Sequence, residues 1–157
     1  MAAGQFTVPQ KAHANLFNAT GLLAATPANF RAHLVTSAYA PNDAADEVWA
    51  DASAAELATA NGYTNGGLAL TNVAITQTGG VVKFSCDPMI WNSTGSGIAA
   101  WRRCVIRYLG TLNGKVNPIV AHCLGDSTGV DVPVTPSGNP LTITPSASGI
   151  ISSTKTP

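Results

Sequence analysis

Three histidines, three cysteines, eight acidic and eight basic side chains are the groups of this chain most able to do chemistry. Ser, His and Asp all occur, yet no serine stands in the Gly-x-Ser-x-Gly turn that exposes a nucleophile. His13, His33 and His122 are isolated from one another, without the paired spacing that places two imidazoles on one zinc ion. His33 and His122 lie in strand-like segments and read as packed or rim residues, not as bases or ligands. Asp126 and Asp131 frame a turn, but the regular run of oxygen ligands that makes a calcium loop is missing. Asp43, Asp46, Glu47, Asp51 and Glu56 crowd one segment that reads as exposed, where a glycosidase needs two carboxylates facing each other across a cleft. The glycine-rich pieces 62–67 and 95–97 have neither the lysine nor the following helix of a phosphate loop. The sequence therefore nominates no catalytic residue, no metal ligand and no cofactor site, and the expectation is a protein that is not an enzyme.

Composition narrows the remaining classes. Of the 157 residues only 10% are charged, against about a quarter in ordinary soluble domains, and the formal net charge is zero. So little repulsion favours association with copies of itself or with a larger assembly. A neutral chain is also a poor partner for nucleic acid, which demands a basic stripe. The one basic cluster, Arg102, Arg103 and Arg107, reads as a solvated face or an ion pair between subunits, with Arg103 and Arg107 on the same side of a strand. No run of 18 apolar residues marks a membrane span, and the first residues lack the charged-then-apolar order of a secretory signal. Assembly in a cytoplasm is expected. Cys86, Cys104 and Cys123 are odd in number and widely spaced, which fits reduced thiols serving as small buried hydrophobes.

Short apolar runs separated by Gly, Asn and Ser point to an all-β domain, a β-sandwich of jelly-roll-like form with seven to nine strands. The expected organisation is an N-terminal arm over 1–8, a β domain over 9–151 and a frayed polar tail over 152–157. Short helical excursions are expected near 11–17 and 51–58, the second capped by Asp51 or Ser53 and anchored by Trp49 and Leu57. Residues 30–36 alternate as a half-buried strand, with Phe30, Ala32 and Leu34 inward. Residues 68–76 read as a strand with a bulge near Asn72, and 81–86, 89–91, 98–109, 118–124, 130–134 and 141–144 as further strands. Gly79-Gly80 and Asn113-Gly114 are the hairpin signals, and Cys104, Ile106 and Tyr108 should face inward with Arg103 and Arg107 outward.

One ordered set of segments is more specific. FRAHLVTSAYAPN is followed by NGYTNGGLALTNV, then GGVVKFSCDPMIW, then WRRCVIRY. Through Asn61-Gly62-Tyr63-Thr64, Gly66-Gly67, Leu70, Val73, Gly79-Gly80, Phe84 and Trp91, this order resembles a group of small tailed-bacteriophage virion proteins, over residues 30–124. The C-terminal stretch SGNPLTITPSASGIISSTKTP is richer in Pro and Ser than that group's pattern. The resemblance implies a capsid decoration, or cement, protein on the outer surface of a phage head. It implies the major capsid protein and further copies of itself, as trimer or dimer, as partners, and the virion as its location. Residues 1–8 would then add a strand to a neighbour's sheet edge. The alternatives are a tail or head-fibre attachment component and a carbohydrate-binding β-sandwich, the latter needing Trp49, Trp91 or Trp101 as a stacking platform.

Overall fold

The computed structural model describes residues 5–9, 26–78 and 81–154; the helical excursion expected at 11–17 lies outside them. The described chain is mostly β, in several antiparallel sheets. β1 (Phe30–Val35), β2 (Leu68–Ala69), β6 (Arg103–Tyr108) and β9 (Ile119–Leu124) form a four-stranded sheet in the order β2-β1-β6-β9. β3 (Ala74–Thr78), β4 (Val81–Ser85) and β11 (Ile151–Thr154) form a second sheet with β4 central. β5 (Met89–Asn92) pairs with β10 (Pro140–Ile143), and β7 (Thr111–Leu112) with β8 (Lys115–Val116).

One apolar core joins these sheets. Phe30 of β1 packs on Phe84 of β4 with ring centroids 4.9 Å apart, and on the edge of Tyr108 of β6 at 5.3 Å. Met89 and Trp91 of β5, Ile143 of β10 and Ile151 of β11 enter the same cluster. Strand β5 shows the simplest pattern, burying Met89 and Trp91 while Ile90 and Asn92 face out, as a two-residue period requires.

The four-stranded sheet departs from that simplicity. In β1 every residue from Ala32 to Val35 is buried, and in β6 every residue from Cys104 to Tyr108. Alternation along 30–36 reads as a half-buried strand, but here both faces are covered. The second cover is the excursion over 36–57, which lays Tyr39, Trp49, Ala52 and Ala55 against Val35, Val105 and Ile119. Backbone hydrogen bonds from Leu57 N to Leu34 O (3.0 Å), Trp49 N to Asn117 O (2.8 Å) and Ile119 N to Glu47 O (3.0 Å) fasten it, and Thr36 N to Ala55 O (2.9 Å) ties its two ends together. The helix expected at 51–58 is replaced by two 3-10 turns, Trp49–Asp51 and Ser53–Ala55. Glu56 cannot continue a helix because it bridges Val35 as an extended residue. The expected cap changes too: the second turn has no side-chain cap, and Asp51 reaches back from the end of the first, its carboxylate accepting from the amides of Glu47 (2.9 Å) and Val48 (3.0 Å); Trp49 and Leu57 are buried as expected.

Three more expectations change. The bulge at Asn72 is a change of sheet: a left-handed residue (φ 49°) ends the passage from β2 and β3 starts in the second sheet. Residues 130–134 form no strand, because Pro133 interrupts the pairing and only Val132 bridges, to Trp101. Residues 152–154 are no frayed tail but the body of β11, paired with Lys83, Val82 and Val81. Nor does the described part of the arm leave its own chain. Thr7 exchanges two hydrogen bonds with His122 (2.6 and 2.8 Å), extending the sheet beyond β9, while Phe6 and Val8 pack on the core.

Two Asn-Gly turns share a backbone and differ in surroundings. Asn61-Gly62 (φ 53° and 96°) and Asn113-Gly114 (φ 49° and 72°) both have the two positive φ values of a tight hairpin turn. A Cβ on Gly114 would meet nothing within 4 Å, whereas one on Gly62 would fall 1.9 Å from the Asn92 carbonyl oxygen. Gly114→Ala should therefore cost about 1 kcal/mol, the left-handed penalty alone. Gly62→Ala should cost at least twice as much, because overpacking against backbone adds to that penalty. Urea unfolding of the two variants measures both, and equal losses would contradict the close approach at Gly62.

Candidate functional site

The strongest polar constellation is buried between the four-stranded sheet and its outer cover, and it joins residues 7 to 74 positions apart in sequence. β1 presents His33, β6 presents Arg107, the end of the cover presents Glu56, and the turn after Ala60 presents Tyr63. Arg107 Nε donates to His33 Nε2 at 2.8 Å. A guanidinium can only donate, so Nε2 carries the lone pair and the proton sits on Nδ1. Nδ1–H then donates to Glu56 Oε1 at 2.7 Å. The same oxygen accepts from the Tyr63 hydroxyl (2.7 Å) and the Gly66 amide (2.9 Å), and Oε2 accepts from the Asn65 side chain (2.8 Å). Tyr63 in turn accepts from the Leu34 amide at 3.2 Å. Trp49 closes the cluster, stacked on His33 at 4.0 Å with the Arg107 guanidinium 5.4 Å from its ring.

Electrostatics follow from that geometry. Burial lowers the His33 pKa, opposed by Glu56 and reinforced by Arg107 and Arg31, so the imidazole is neutral. Burial would raise Glu56, but the donors from His33, Tyr63 and Gly66 outweigh it and hold the carboxylate below its usual range. The Tyr63 phenol is pushed well up, first by burial and then by its bond to Glu56. A carboxylate, a neutral imidazole and a guanidinium in line are groups that elsewhere move protons. Here the His33 side chain is 0% exposed and that of Glu56 is 4% exposed, so no outside molecule meets them. The arrangement is a fastener.

Local sequence explains how the turn is made. Gly66 and Gly67 adopt φ 100° and 78°, open to glycine at no steric cost. At Gly67 a Cβ would lie 2.7 Å from both the Ala32 carbonyl oxygen and His33 Cε1. The Asn-Gly-Tyr-Thr-Asn-Gly-Gly run is thus the cradle that brings Tyr63, Asn65 and Gly66 onto Glu56.

The individually considered residues are placed as follows. Arg107 is buried on His33 and Trp49, correcting the outward, solvated reading; Arg102 is paired with Asp131 at 2.7 Å. Glu56 likewise leaves the exposed acidic segment for the interior, because a three-donor cradle repays its desolvation. Asp126 and Asp131 do not converge, since Asp126 Oδ1 is taken by the Thr128 amide (2.8 Å) and hydroxyl (2.5 Å). His122 is buried with Nε2 on Asp43 at 3.2 Å, and His13 lies outside the described residues. All three cysteines are free: Cys104 and Cys123 are buried partners across β6 and β9, and burial beside Asp87 pushes the half-buried Cys86 thiol to about 11.

Among the described residues no group of three His, Cys, Asp or Glu side chains could hold a metal ion, and no helix is long and apolar enough to cross a membrane. Of the surface concavities among the described residues, one beside Thr71 and Pro88 is lined by Asp87, and the two larger ones that follow have no acid or base in their walls. A groove of about 380 Å³ runs between Val132–Pro136 and β10, and another of about 310 Å³ between β2 and β5. Trp49, Trp91 and Trp101 are all buried, so none offers the open ring face a sugar would stack on. Comparison with protein-family models, with curated proteins and with solved structures finds no match.

Two substitutions test the fastener. Glu56→Gln removes the charge that four donors share, and should lower the unfolding free energy by about 3 kcal/mol. Gly67→Ala should lose a similar ~3 kcal/mol through strain and contact with His33. Chemical denaturation of each variant is the measurement, and a loss below about 1 kcal/mol in Glu56→Gln would show that the network does not hold the cover down.

Proposed function

We propose that this chain is a non-enzymatic virion structural protein, a decoration protein that binds the outside of a phage capsid shell and stiffens it. The observation that carries the reading is the ordered set of segments over 30–124, whose key residues are ones the fold needs. Asn61, Gly62, Tyr63, Gly66 and Gly67 build the cradle around Glu56, while Phe84 and Trp91 fill the core. Low charge and zero net charge support a protein whose surface is covered by partners. The reading includes a β-sandwich of jelly-roll type, supported by antiparallel sheets that enclose one core.

A stiff, catalytically empty β unit suits the task, since a shell under internal pressure gains from rigid bridges between its subunits. The partners would be the major capsid protein and further copies of this chain, as trimer or dimer, with assembly in the bacterial cytoplasm. Strand edges are the natural adhesive. β3 offers one in Ala74–Thr78, a five-residue strand with no proline and no charge. The arm contributes less than its sequence suggests, because Thr7 is engaged with His122 of its own chain.

The test is binding of the purified chain to capsid shells lacking it, followed by counting copies per particle on gels. The reading expects saturation at a fixed ratio to the capsid subunit; no binding, or a handful of copies at one vertex or on the tail, would overturn it. Removing residues 1–4 isolates the arm without touching the Thr7 pair. If the arm bridges to a neighbour, retention on particles falls while thermal stability stays the same, and unchanged retention removes the arm from the contact.

A further inference from the structure

Both described histidines of the chain fasten the same element to the same sheet. The cover over 36–57 is met near its start by His122 of β9, through Asp43, and at its end by His33 of β1, through Glu56. Between them Trp49 packs on His33, the rings tilted by 32° with centroids 4.0 Å apart. The Lys115 ammonium also meets Glu47 of the cover, while the Tyr39 hydroxyl on Asp46 (2.9 Å) is a bond within the cover itself. Beneath it lie Val35, Val105 and Ile119, an apolar face that no other element covers in that cluster.

We propose that residues 36–57 are an acid-released flap, seated on the sheet by two neutral histidines whose protonated forms no longer fit. The misfit is geometric in each case. His33 accepts from Arg107 through Nε2, so a proton there turns an acceptor toward a donor and sets two cations in contact, with Arg31 also nearby. Glu56 alone opposes that charge, and Tyr63 reaches His33 only through Glu56. His122 donates to Asp43 through Nε2, and its Nδ1 is buried with no hydrogen-bond partner. A proton on Nδ1 would be buried without an acceptor on a ring that Arg103 already opposes, while Asp43 and Asp46 favour the charge. Burial is the leading cause in both, and both pKa values lie below the ordinary 6.5.

The direction of the pH effect follows. With the flap seated, the two imidazoles bind protons less readily than when it is lifted. Seating is therefore fully stable above about pH 6.5 and weakens as pH falls toward the two lowered values. Two linked protons give the opening equilibrium a slope of up to about a hundredfold per pH unit, and one proton about tenfold. The proposal is independent of what the protein binds, since it rests on contacts within one chain.

Native-state hydrogen exchange on the full chain, corrected for the intrinsic rate, tests it between about pH 7.5 and 5, above the ordinary carboxylate range. Amides of Trp49, Ala52 and Ala55 should lose protection with a slope steeper than tenfold per pH unit below about 6.5. Phe84 and Trp91, in the main core, should hold theirs. His122→Gln, which keeps a donor for Asp43 and removes the titration, should cut the slope to at most about tenfold per unit. Protection at 36–57 that is flat across this range, or that falls together with the main core, would overturn the flap. A variant that keeps the two-proton slope would overturn the role of His122. The wild-type slope stands as a test even if His122→Gln fails to fold.

Discussion

The ionised carboxylate of Glu56, held away from water by four donors, is the interaction on which the architecture turns. A bare carboxylate in that place would cost several kcal/mol, and it is tolerated only because every lone pair in use meets a donor of fixed position. Satisfying it recruits β1 through His33, β6 through Arg107, and the glycine-rich turn through Tyr63, Asn65 and Gly66. Four separate stretches of chain are thereby set to one geometry. The polar cluster fixes the position of the cover; the apolar contacts of Trp49, Val105 and Ile119 supply the area that makes covering favourable.

That arrangement explains why the four-stranded sheet can be buried on both sides without crossover helices. Antiparallel sheets commonly leave one face to water. Here the outer face is closed by a loop that satisfies its own backbone through 3-10 turns, an aspartate cap and bonds to Leu34, Asn117 and Ile119. The glycines and asparagines are part of the same economy. Gly62 lets a turn sit on the Asn92 backbone, Gly67 lets another sit on Ala32 and His33, and neither position has room for a side chain. In the run from Asn61 to Gly67, Gly62 and Gly67 are the positions where a turn closes onto neighbouring backbone. Their demand is steric.

The β character, the Asn113-Gly114 hairpin, the alternation of β5, the pairing across residues 79–80 and the burial of Trp49 and Leu57 were legible in the sequence. The strands and hairpins depend on residues within a few positions of one another, where a two-residue period or a positive-φ turn leaves a local signature, while Trp49 and Leu57 stood out only as large apolar side chains in an alanine- and acid-rich stretch. Glu56, His33, Arg107 and Tyr63 were not legible as a group. Each has a bland local reading, as exposed acid, strand histidine, outward arginine or core phenol, and only Glu56 and Tyr63, seven positions apart, are near in sequence. A glycine pair beginning three residues after a tyrosine was the available signal, and it marked a turn without saying what the turn enclosed.

Local sequence determined where the chain extends and where it reverses, because backbone sterics and side-chain period act over a handful of residues. Tertiary structure alone decided that a second face of the sheet is dry, that Arg107 and Glu56 belong inside, and that two histidines hold one loop. Those outcomes depend on which distant segments meet. A charged group's environment is set by its neighbours in space, and no period along the chain records them.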